Sequence, residues 1–134
     1  MKLKILWILL AIIYSSILLY SNELAKDTIS VKSMQDDTSK ANLLLSISER
    51  LYDFDTDLGI KYATNGLNLS KKLNFQAGIA RAYKAYGINY WRKGIYEKAI
   101  ENMFIAIDLY ENINDELAVC KCYNNVGLIL FARN

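Results

Sequence analysis

From residue 38 onward, apolar side chains recur three and four positions apart, as in Leu43, Leu44, Ile47 and Leu51, the spacing that lines one face of an α-helix. The pattern predicts five amphipathic helices of about 15 residues each. Breaks fall at 53–57, 73–76, 93–95 and 112–115, short stretches whose Asp, Asn and Gly residues supply caps and turns. Connections this short join antiparallel neighbours, so the helices are expected to alternate in direction as hairpins.

The beginning of the chain has a different pattern. Residues 5–20 are apolar apart from Tyr14, Ser15 and Ser16, and Lys2 and Lys4 precede them. A basic start followed by an apolar core is the layout of a secretion signal. The run of 16 residues is longer than many signal cores and shorter than the ~20 that span a bilayer comfortably, and residues 19–21 match a cleavage site poorly. Residues 1–21 therefore stand as either a signal peptide or an N-terminal membrane anchor. Both export the remainder, to a periplasmic or other extracytoplasmic space or to the outer face of an inner membrane that holds residues 5–20. The lack of a nearby cysteine argues against a lipid anchor. Residues 22–37, polar and mixed in charge, are expected to form a linker.

The pattern also repeats. Laid over itself at a shift of 40 without gaps, the chain places Ile60 over Ile100, Leu67 over Ile107, Leu69 over Leu109 and Leu73 over Ile113. Asn74 falls over Asn114, Ile79 over Val119, Tyr83 over Tyr123 and Gly87 over Gly127. The agreement covers apolar positions and a turn residue through two helices, which marks stacked repeats in which each hairpin buries its open face against the next.

Composition removes several function classes. The chain has 134 residues, no proline, no histidine and six glycines, which favours helix and leaves room for one domain. With Lys2 and Lys4 set aside, 14 basic residues face 14 acidic ones, so net charge gives no case for nucleic acid. No nucleophile and base are paired and no glycine-rich phosphate loop is present, so an enzyme is not expected, and no cofactor is implied. Asp53, Asp55 and Asp57 resemble the opening of a calcium loop, but Leu58 and Thr64 occupy the positions that need glycine and a bidentate carboxylate. An N-cap role for Asp55 or Thr56 is the favoured reading. Cys120 and Cys122, two apart on a helix, point in nearly opposite directions and are read as small packing residues.

The stretch AYKAYGINYWRKGIYEKAIENMFIAIDLY, residues 82–110, resembles one repeat of the tetratricopeptide (TPR) family. The family's large and small positions are met by Tyr83, Tyr86, Gly87, Tyr90, Gly94, Tyr96, Ala99, Met103 and Ala106, with Gly127 opening the next repeat. The period of 40 in place of the common ~34 is similar to long-helix variants. The resemblance implies an all-α α-solenoid of about two and a half antiparallel hairpins over 38–134: hairpins at 38–74 and 75–113, and an unpaired helix at 115–132. It implies a protein or peptide partner and a groove lined by Arg81, Lys84, Ile88, Trp91, Arg92, Lys121, Asn124 and Asn125, which competes with a solvated basic face and Trp91 in the core. The apolar end of the last helix implies a fragment, a truncated frame or a helix completed by another copy. A leader followed by such hairpins is similar to the extracytoplasmic input region of bacterial membrane sensors; a free-standing secreted or periplasmic adaptor is the alternative.

Overall fold

The computed structural model describes residues 2–134 and the side chains of residues 4–134, and the described residues form six α-helices. They are α1 (Lys2–Ser33), α2 (Thr38–Leu51), α3 (Thr56–Lys72), α4 (Gln76–Arg92), α5 (Tyr96–Asn112) and α6 (Glu116–Arg133). The chain divides into two compact units, Met1–Ser33 and Met34–Asn134.

Helix α1 is one unbroken rod of 32 residues, about 48 Å at 1.5 Å per residue. It is the one helix among the described residues long and apolar enough to cross a membrane. The hydroxyls of Ser15 and Ser16 in its apolar stretch both donate to the Ile12 carbonyl, at 2.8 and 2.9 Å, which satisfies them within the helix. The expected linker at 22–37 is helical as far as Ser33. Its polarity does not break the helix, because it holds neither Gly nor Pro, and Ser21, Thr28, Ser30 and Ser33 return their hydroxyls to carbonyls three residues back.

In the second unit each helix packs on its sequence neighbours, and α2 and α6 also pack on α4. A 17-residue helix is about 25 Å long, so partners joined by three residues and packed together must run antiparallel. Three of the turns are built alike. Asn74, Gly94 and Asn114 take the left-handed conformation, with φ of 52°, 73° and 57°. In each turn the residue after them donates to a carbonyl five back: Phe75 to Ser70 at 2.8 Å, Ile95 to Tyr90 at 2.9 Å and Asp115 to Tyr110 at 3.0 Å. These are Schellman motifs, in which the left-handed residue lets the chain reverse while satisfying orphan carbonyls. They recur every 20 residues, and α3, α4, α5 and α6 accordingly begin at Thr56, Gln76, Tyr96 and Glu116. The first turn differs: Asp55 donates to the Leu51 carbonyl, and its side chain caps α3 by accepting from the Leu58 amide at 2.9 Å.

Helix α4 is central and carries small residues on several sides: Ala80, Ala82, Ala85 and Gly87 are all buried. Gly87 faces α5, where an added Cβ would lie 2.8 and 2.9 Å from Met103 carbons and 3.1 Å from the Ala99 carbonyl oxygen. Ala99, Met103 and Ala106 are fully buried there, with Tyr83, Tyr90, Trp91 and Tyr96 packed around them. Tyr86 packs with Tyr83 against Leu45, Leu67 and Ala82 on the α2–α3 side. Gly127, expected to pack like Gly87, meets nothing within 4 Å, because no helix among the described residues covers that face of α6. Only Cys122 of the two cysteines is buried; Cys120 is exposed and both thiols are free.

The two glycines should therefore respond oppositely to alanine. Gly87→Ala must push Met103 and the α5 backbone aside and is expected to destabilise by about 1–3 kcal/mol. Gly127→Ala removes only the helical cost of glycine, and thermal melting should show a gain of up to about 1 kcal/mol. A loss at both positions would show that α6 is covered in solution.

Candidate functional site

Eight residues on α4 and α6 were expected to line one groove, and the structure sorts them into three groups. Arg81 and Lys84 point from α4 toward α2, where Glu49 holds both. The Arg81 Nε and Nη2 atoms donate to the two Glu49 carboxylate oxygens at 2.9 and 2.6 Å, and Nη1 reaches the Asn42 side-chain oxygen at 3.3 Å. The Lys84 Nζ lies 3.4 Å from the same carboxylate. Burial alone would raise the Glu49 pKa, but the Arg81 hydrogen bonds and the charges of Lys84 and Arg81 outweigh it and hold the carboxyl below its ordinary 4.5. The pair also raises the Arg81 pKa. Arg81 is thus a structural tie between α2 and α4 and does not belong to an open groove.

Trp91 and Arg92 also lie elsewhere. Trp91 is half-buried against the α5–α6 core, which is the packing alternative considered for it. Arg92 is exposed at the end of α4, 2.6 Å from Asp53 and with its guanidinium over the Tyr52 and Trp91 rings at 4.9 and 5.5 Å. Asp57 pairs with Lys93. The acidic run at 53–57 is thus spent on one helix cap and two ion pairs.

The remaining four come together with Lys84, which faces both ways. Lys84, Ile88, Lys121, Asn124 and Asn125, joined by Cys120, line a groove of about 390 Å³ between α4 and α6. Helix periodicity explains the set: 84 and 88 lie one turn apart on α4, and 121, 124 and 125 share a face of α6. The groove mixes an apolar floor at Ile88, two amides able to bond a peptide backbone, and two ammonium groups.

The two grooves of this layer are related by sequence spacing. Glu49 precedes Arg81 and Lys84 by 32 and 35 residues; Ile88 precedes Lys121 and Asn124 by 33 and 36. In the 40-residue register Glu49 falls on Asn89, which is fully buried, and Ile88 beside it lines the second groove instead. The α2–α4 groove is neutralised from within, whereas no carboxylate lines the α4–α6 groove.

Sequence reasoning also missed Asn89. Its side chain is fully buried, with Nδ2 donating to the Ala85 carbonyl at 2.9 Å and to the Ser48 hydroxyl at 3.4 Å, while Oδ1 lies where a Gly59 Cβ would be and has no hydrogen-bond donor. The two small positions of α3, Gly59 and Gly66, make room for Asn89 and for Leu45 respectively.

No family model matches the chain, and no curated protein or solved structure is significantly similar to it.

The tie at Glu49 has a defined pH dependence. A carboxylate whose pKa is depressed by folding contributes stability that is present above its unfolded value and lost as pH falls through the lower folded one. Melting temperature should hold from neutrality down to about pH 5 and then fall, with part of the fall absent in Glu49→Gln. At pH 7 Glu49→Ala is expected to cost about 2 kcal/mol or more, because it leaves Arg81 half-buried and unpaired.

Proposed function

We propose that this chain is an exported, TPR-like helical scaffold whose α4–α6 groove binds an acidic segment of another protein. The observation that carries the reading is the groove itself: Lys84, Lys121, Asn124 and Asn125 around Ile88, with no carboxylate lining it. Support for a TPR-type repeat comes from the 40-residue sequence period, from glycine and alanine at the helix crossings, and from hairpins closed in three residues. Lys121 favours a ligand bearing a carboxylate, Lys84 being already paired with Glu49, while the amides favour an exposed backbone and Ile88 an apolar side chain beside the charge.

Export rests on α1, a helix long and apolar enough to cross a membrane, with the serine hydroxyls of its apolar stretch satisfied inside the helix. Such an exported chain fits the extracytoplasmic input part of a membrane signalling protein. The genomic frame beyond the codon for Asn134 separates this from a free-standing adaptor. A second membrane span followed by a signalling domain fits the sensor, and a stop codon sinks it.

Groove binding is tested with two fluorescent peptides, one alternating Glu and Leu and the other alternating Lys and Leu, titrated against the full chain in detergent. The acidic peptide should bind with an affinity that falls as salt rises, and the basic one should not. Lys121→Glu should weaken the acidic peptide by about tenfold or more, the effect of losing one charge-assisted contact. Equal binding of both peptides, or of neither, overturns the proposal.

A further inference from the structure

Lys84 stands between two grooves. It lines the α4–α6 groove beside Ile88, Lys121 and Asn124, yet its Nζ lies 3.4 Å from the carboxylate of Glu49, which belongs to the α2–α4 groove. The oxygen it approaches, Oε1, already accepts from Arg81 Nε at 2.9 Å, while Arg81 Nη2 donates to Oε2 at 2.6 Å. That bidentate fork satisfies and neutralises the carboxylate by itself. Lys84 is therefore the second cation on one carboxylate, and its 3.4 Å is longer than the ~2.7–2.9 Å of a charge-assisted hydrogen bond. A lysine ammonium is a point charge on a flexible stem, so it can turn to another anion while the Arg81 pair stays intact. The first groove also shows what such an anion would meet in the second. In the 40-residue register Arg81 corresponds to Lys121 and Lys84 to Asn124. Arg81 and Lys84 already share a carboxylate, whereas none lines the groove that Lys84, Lys121 and Asn124 face together.

We propose, resting on the reading of the α4–α6 groove as a site for acidic segments, that Glu49 sets the affinity of that groove by competing with the ligand for Lys84. A ligand carboxylate held by Lys121 attracts Lys84 as well, but the gain is offset by the attraction to Glu49 that Lys84 gives up. Arg81 keeps the exchange from stranding a half-buried anion, because it stays on Glu49 whichever way Lys84 turns. Glu49 touches no ligand; it is a positioning residue that acts through one side chain. No carboxylate lines the groove beside Lys121, so the two lysines contribute unequally, Lys121 fully and Lys84 in part.

A double-mutant cycle on the full chain in detergent, read with the fluorescent Glu–Leu peptide, tests this competition. In the native background Lys121→Met should weaken binding about tenfold and Lys84→Met only about two- to threefold. Glu49→Gln keeps the shape of the side chain and removes its charge, and it should strengthen binding about threefold. In that background Lys84→Met should cost about tenfold, so that Glu49→Gln has no effect once Lys84 is gone. A gain from Glu49→Gln that persists in Lys84→Met would be a general field effect and would overturn the competition. Native-background losses that are nil at Lys84, or equal at Lys84 and Lys121, overturn it too. That comparison leaves Glu49 and its tie to Arg81 in place, so it decides the matter even if Glu49→Gln unfolds. Binding that is the same for the native chain and Glu49→Gln leaves the groove standing and removes the role of Glu49, whereas no binding by either overturns both.

Discussion

The second unit depends on one constraint: the chain must reverse direction within three residues between helices of 17. Only a residue at positive φ closes a Schellman turn that tightly, and Asn74, Gly94 and Asn114 provide it every 20 residues. Glycine accepts that conformation freely, and asparagine more readily than other side chains. Because the turns are alike, successive helices present comparable faces at comparable heights. Small residues then decide how near the helices come, with Gly87 against Met103 as the closest approach between α4 and α5.

Polar ties, in addition to apolar burial, fix α2 against α4. The carboxylate of Glu49 receives two cations from α4, and Asn89 sends its amide to Ser48 on α2 while its oxygen rests against Gly59 on α3. A half-buried bidentate pair and a buried amide add less net stability than the same volume of aliphatic side chain, but they admit few alternative alignments. The α4–α6 pair lacks both features: no carboxylate lines its groove, and α6 carries Ile129, fully buried, at the position equivalent to Asn89. The same layer of helices thus has one groove closed by charge and another left open.

Much of the architecture was legible in the sequence. Apolar spacing marked the helices, because it depends on a local periodicity that burial enforces. Residues 22–33 are helical despite their polarity, because they hold no Gly or Pro and their hydroxyls fold back on carbonyls. In the site, Lys84, Ile88, Lys121, Asn124 and Asn125 meet because helix faces are predictable from number alone. The surroundings of Arg81 and Gly127 depend on other helices and are not set by their own helix faces: Glu49, 32 residues earlier, claims the first, and no neighbour among the described residues reaches the second.

The regular pitch of the turns also sets which changes in chain length the fold can absorb. One helix with its turn occupies 20 residues, and adding or removing one such unit would reverse the direction of everything after it. Two units restore direction, face and turn chemistry together, with Asn74 replaced in register by Asn114. A single-helix insertion would therefore disturb the packing order even where every new residue is a good helix former.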